Sequence, residues 1–160
     1  MTLLRKIKAA AHNRTTHAVG LLQTKAYRAL KHHTAQALGH LGISPVQWAF
    51  LGMLHDRAGG MRPAAAALEL GVEAPFITQM TGELDHMGLI GTRSDPADNR
   101  AKLLCLTAKG VSFVVSTEKH LRGAMQPLLK GVSTADLAAY LLVLETITAN
   151  SVVAAAFIKE

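Results

Sequence analysis

Between His12 and Leu41, apolar residues recur at Val19, Leu22, Ala26, Leu30, Ala37 and Leu41, mostly three or four positions apart, with Lys25, Arg28 and Lys31 between them. That period predicts a long amphipathic helix, ended by Gly42. Ser44 followed by Pro45 is an N-cap with proline at the first helical position, so a second helix starts there. It carries Trp48, Phe50, Leu51 and Leu54 and stops before Gly59 and Gly60. Pro63 opens an alanine-rich helix through Leu70. Alanine is the best helix former but buries little area, so this helix is expected to support its neighbours at close range. After a turn at Gly71, a helix from Ala74 and Pro75 buries Ile77, Met80, Leu84 and Met87, and its other face presents Phe76, Thr78, Gln79 and Glu83. Gly88 is placed as the left-handed glycine that closes it.

Beyond Gly88 the period shortens to two. Leu104 and Leu106 point one way while Leu103, Cys105 and Thr107 point the other, which predicts a hairpin strand. The tip, SDPADNR, has the proline and Asp/Asn chemistry of a tight turn. Thr107 is positioned to cap a helix running to about Leu129, and Ser133 to cap the last one. There Leu137, Leu141, Leu144 and Thr148 make a stripe that Leu142, Val143 and Ile147 widen. Together with Val152 to Ile158 this is more apolar surface than a lone chain hides, so a second copy is expected to cover it. The predicted fold class is mainly α with a small β-hairpin wing. A winged helix-turn-helix over residues 43–107 is flanked by dimerisation helices over 12–42 and 108–158, in one domain of 160 residues.

Composition agrees with packed helices: 49% of residues are hydrophobic but only 4% are aromatic, so the core must come from aliphatic side chains. The net charge of +6 is unevenly spread. Met1 to Gly42 carry seven basic side chains and no acidic one, whereas Ile43 to Thr107 carry five basic against seven acidic. Phosphate attraction supplies most non-specific DNA affinity, so the middle of the chain is poorly charged for tight DNA binding alone. A single cysteine excludes an intrachain disulfide framework and fits a reducing cytoplasm. No apolar run approaches the ~18 residues of a membrane span, so a soluble, cytoplasmic protein without a membrane partner is expected.

The order and spacing of Ile43-Ser44-Pro45-Val46-Gln47-Trp48, Gly88-Leu89-Ile90, the wing DPADNR and LTAKG from Leu106 to Gly110 resemble the MarR family of small dimeric transcriptional regulators. The likeness runs from about Asn13 to the C-terminus. It implies a homodimer that binds double-stranded DNA at a palindromic operator, without a cofactor, under the control of a small amphipathic or aromatic ligand. Pro75, Phe76, Thr78 and Gln79 would then face the major groove, with Gln79 suited to adenine and Thr78 to a thymine methyl. Arg100, supported by Arg93 and Lys102, would enter the minor groove; the alternative is that Asp98 and Arg100 only close the wing by pairing. The ligand crevice would be lined from the segment His12 to Val19, with His17, and by Trp48 and Met53.

The chain also departs from the family's pattern. Gly82 stands where an acidic residue usually holds the wing arginine, and Gln79, Glu83, Thr92 and Asn99 stand where arginine or lysine is common. This keeps open a second reading, a dimer of the same fold that has lost strong DNA binding and serves as a ligand-binding or protein-binding module. His32, His33 and His40 invite a zinc reading, but no CxxC or HExxH spacing accompanies them, so no metal site is assigned. Cys105 in an apolar strand reads as a buried thiol rather than a redox sensor. No local pattern of nucleophile, base and orienting group occurs, and no phosphate-binding glycine loop, so an enzyme is not expected.

Overall fold

The computed structural model describes residues 16–157 and divides the chain into two compact units, Met1–Met125 and Gln126–Glu160. Several sequence expectations lie outside the described residues: His12, the basic Arg5, Lys6, Lys8 and Arg14, Ile158, and the side chains of His17, Asn99 and Val152 to Phe157.

The first unit begins with α1 (Thr16–Leu38), whose end tightens into a 3-10 turn, Gly39–Leu41, closed by the Gly42 N–H on the Gly39 carbonyl. Helix α2 (Pro45–Asp56) starts from a reciprocal cap. Ser44 Oγ accepts from the Gln47 N–H at 3.3 Å, and Gln47 Oε1 accepts from the Ser44 N–H at 2.7 Å. Helices α3 (Pro63–Leu70) and α4 (Ala74–His86) turn about Gly71, and β1 (Ile90–Asp95) pairs antiparallel with β2 (Asp98–Leu106) before α5 (Ala108–Met125). Leu38, Phe50, Leu51, Leu54, Ile77, Leu84 and Leu89 form the most deeply buried part of the core, to which the end of α1, α2, α4 and the residue before the hairpin all contribute. Ala66 and Ala67 are buried, so α3 does lie close to its neighbours.

Three local features differ from the sequence reading. Met87 is half-buried rather than core, because α4 ends at His86 and the chain turns away at Gly88, φ +69°. Helix α5 stops at Met125 instead of Leu129: Pro127 disfavours helical backbone at Gln126 and supplies no N–H to continue the ladder. The hairpin also gains a neighbour. Met61 exchanges both backbone hydrogen bonds with Leu104, at 3.0 and 2.9 Å, and ties the segment before α3 to the wing.

The LTAKG stretch acts as the joint between α4, the hairpin and α5. Thr107 Oγ1 donates to the Gly88 carbonyl at 2.7 Å and accepts from the Gly110 N–H at 3.0 Å, and Lys109 Nζ donates to the Met87 carbonyl at 2.6 Å. Gly110 is required by space. A Cβ there would stand 1.9 Å from the Leu89 carbonyl oxygen.

The second unit holds α6 (Thr134–Phe157), capped by Ser133 Oγ accepting from the Asp136 N–H at 3.1 Å. Leu141, Leu142, Val143 and Ile147 are exposed on it. In the first unit, α1 likewise exposes Val19, Leu21, Leu22 and Tyr27. No helix among the described residues is long and apolar enough to cross a membrane.

Candidate nucleic-acid interface

Helix α4 buries Ile77, Met80 and Leu84, and this fixes which side chains face outward. Pro75, Phe76, Thr78, Gln79 and Glu83 are all exposed, as the sequence pattern requires. Their hydrogen bonds were not legible in that pattern. Thr78 Oγ1 donates back to the Ala74 carbonyl at 3.3 Å. Glu83 takes two amides: Gln79 Nε2 donates to its Oε1 at 3.0 Å, and Gln47 Nε2 donates to its Oε2 at 2.7 Å. Gln47 is only 8% exposed, so α2 grips the outer face of α4 through a buried side chain. The Ser44-x-x-Gln47 spacing was the available signal, since a capping glutamine keeps its amide nitrogen free for a second partner.

The wing is shaped by its turn. Asp95 faces Asp98 across Pro96 and Ala97, and the register then slips to Ser94 opposite Lys102, leaving residues 99–101 without a partner across the ladder. Arg100 sits in that bulge, exposed, with no side-chain partner among the described residues. Asp98 does not pair with the Arg100 guanidinium, so the wing-closing alternative takes another form. Its Oδ1 accepts from the Arg100 backbone N–H at 3.1 Å and its Oδ2 lies 3.7 Å from Arg62.

Arg62 is the residue that sequence reasoning missed. From the position before α3 it grips Asp95 Oδ2 with Nε at 2.8 Å and Nη2 at 2.7 Å. Asp95 is buried, and the Ala97 N–H, followed by Arg62, holds its carboxyl below the usual range. Arg62 is pushed up in turn, first by its hydrogen bond to Asp95.

Other cations are similarly engaged. Arg93 donates to the Gly59 carbonyl, Lys102 Nζ to Ser94 Oγ at 3.3 Å, and Arg57 to Glu69 at 2.9 Å. Of the three basic wing residues singled out by sequence, Arg100 alone keeps its charged group uncommitted among the described contacts.

Of the residues expected to line a ligand crevice, Trp48 lines a groove. A groove of about 540 Å³ between α2 and α5 is lined by Trp48, Gly52, His55, Val114, Val115 and Lys119, among others. Met53 is not among them; it packs against the core. Among the described residues no three His, Cys, Asp or Glu side chains converge as metal ligands. The rings of His40 and His120 meet edge to face at 4.9 Å, and the half-buried Cys105 thiol lies 3.6 Å from the Gly91 carbonyl.

No family model matches the sequence. The structure is similar to CouR from Rhodococcus jostii RHA1 bound to p-coumaroyl-CoA, with a TM-score of 0.74 and 21% identity over 81% of this chain and 90% of that one. It is similar to the transcriptional regulator PA3341, with a TM-score of 0.72 and 27% identity over 82% and 96% of the two chains. It is also similar to apo MarR from E. coli, with a TM-score of 0.68 and 21% identity over 80% and 95%. The fold is that of the MarR-family transcriptional regulators.

Proposed function

We propose that this chain, carrying the MarR-family fold, is a cytoplasmic DNA-binding transcriptional regulator that acts as a homodimer on a palindromic operator. Helix α4 enters the major groove and Arg100 reaches the minor groove from the wing. The observation that carries this reading is the outer face of α4, where Pro75, Phe76, Thr78 and Gln79 stand exposed beside a wing with an uncommitted Arg100. The exposed apolar side chains of α1 and of α6 support a second copy. The CouR structure is bound to p-coumaroyl-CoA, which supports a small-ligand role for the groove at Trp48. A ligand favouring one spacing of the two reading lobes would shift operator affinity by population.

One observation favours the second reading, a dimer without strong DNA binding. Arg57, Arg62, Arg93 and Lys102, four of the five basic residues between Ile43 and Thr107, already hold intramolecular acceptors. Selection from random duplexes, followed by anisotropy over a salt series, separates the two. The regulator reading expects an enriched duplex, a shallow slope of log affinity against log salt, and roughly tenfold weaker binding by Arg100→Ala at an unchanged melting temperature. If no duplex is enriched even at low salt, the ligand-binding or protein-binding dimer takes its place.

A further inference from the structure

We propose that α4 reads amino-bearing base edges, adenine first and cytosine second, and rejects guanine, and that Glu83 sets this preference by orienting Gln79. The inference rests on the DNA-binding reading and names the sequence chemistry of its ligand.

A glutamine amide offers an acceptor oxygen and two donor hydrogens, and a free one turns over to suit its partner. Gln79 is not free. Its Nε2 is 3.0 Å from Glu83 Oε1, and an ionised carboxylate only accepts, so turning the amide over would set two oxygens against each other. Glu83 is itself held from behind. Gln47 Nε2 binds its other oxygen at 2.7 Å, while Gln47 Oε1 is held by the Ser44 N–H at 2.7 Å. The relay from Ser44 to Gln79 therefore turns the Gln79 carbonyl oxygen away from Glu83 and leaves one amide hydrogen over.

The rest of the face has the same polarity. Thr78 has spent its hydroxyl hydrogen on the Ala74 carbonyl, Phe76 is apolar, Pro75 has no N–H, and Glu83 is an anion. No lysine or arginine lies on α4, and its one basic residue, His86, sits in the last turn with Nδ1 2.9 Å from the Gly82 carbonyl.

In the major groove guanine shows two acceptors, N7 and O6, and is usually read by arginine or lysine. Against this face its two acceptors would share the single remaining Gln79 amide hydrogen, with the second set against the Gln79 and Glu83 oxygens. Adenine offers N6–H to the Gln79 oxygen and N7 to the remaining amide hydrogen, whereas cytosine offers N4–H alone. Hence the order of preference, adenine before cytosine before guanine.

Duplex selection with the full chain and with Glu83→Ala tests this, with Gln79→Ala marking the contacted position as the one whose preference disappears. The parent is expected to enrich adenine there and to deplete guanine on the order of tenfold. Glu83→Ala frees the amide and should bring guanine to near parity with adenine; it also removes an anion from the reading face, so low-salt binding to unselected duplex should rise alike for all sequences. A merely structural Glu83 would lower the melting temperature and leave the base preference where the parent has it. If Glu83→Ala melts early, Glu83→Gln keeps the volume, removes the obligate double acceptor and carries the same expectation. Guanine enriched by the parent, or a preference that neither variant moves, overturns the inference and leaves DNA binding intact. Loss of binding to every duplex at every salt concentration overturns both.

Discussion

Gly82 and Gly110 both sit inside helices, yet the structure gives them opposite meanings. A Cβ at Gly82 meets no atom within 4 Å, and its place on exposed α4 brings only the entropic cost of glycine in a helix. Gly82→Ala is therefore expected to stabilise the fold by about 1 kcal/mol, read as a higher urea midpoint at an unchanged slope. A lower midpoint would mean that α4 needs the glycine for a reason its surroundings do not reveal. At Gly110 the Leu89 carbonyl excludes any side chain, so the glycine of LTAKG marks close approach of α5 to the end of α4 rather than a turn. Glu83 changes meaning in the same way. In the sequence it is a missing cation, whereas in the structure it is the shared acceptor of two amides.

At the scale of the element, the wing is braced by the segment before α3. Met61 pairs with Leu104, Arg93 reaches the Gly59 carbonyl, and Arg62 clasps Asp95 and Asp98. Arg62→Ala is expected to weaken operator binding severalfold while the melting temperature moves little, because the Arg62 side chain is 48% exposed and the pair is screened. Reversing the pair as Arg62→Asp with Asp95→Arg should recover part of the loss; no recovery would mean Arg62 acts on phosphate directly. The clasp also has a pH signature. Asp95 is depressed in the folded state, so its stabilising contribution is complete above the unfolded value of about 3.9 and is lost only as pH falls through the folded value. Between pH 5 and 8, parent and Arg62→Ala should differ by a constant factor in anisotropy titrations. A ratio that changes across that window would detach the effect from Asp95.

For the whole molecule, the open question of assembly is carried by apolar surface. Leu141, Leu142, Val143 and Ile147 on α6, each more than half exposed, have the apolar composition of a protein interface. Sedimentation of the parent at micromolar concentration is expected to give a dimer, and Leu142→Asp with Ile147→Asp a monomer or aggregate. A folded parent monomer at that concentration would remove the palindromic-operator model. Charge acts at this scale too. On the DNA-binding reading proposed above, with residues 43–107 at five basic against seven acidic side chains, affinity for phosphates would draw on the basic N-terminal stretch, which carries seven cations and no anion through Gly42.

Helix periods, the Ser44-Pro45 cap, Gly88, the two-residue period of the hairpin and the wing's turn chemistry were readable from the chain, because each depends on neighbours within a few positions. They sufficed for the winged helix-turn-helix and for the exposed face of α4. What the chain left undecided were contacts between residues far apart in sequence: Gln47 with Glu83, Arg62 with Asp95, Arg93 with Gly59 and Met61 with Leu104. A side chain's hydrogen-bonding capacity belongs to its residue type, but whether that capacity is spent inside the protein or kept for DNA depends on what folding brings alongside it. Local period therefore determined which residues of the reading lobe face outward, and tertiary contact decided which of them still have charge or hydrogen bonds to offer.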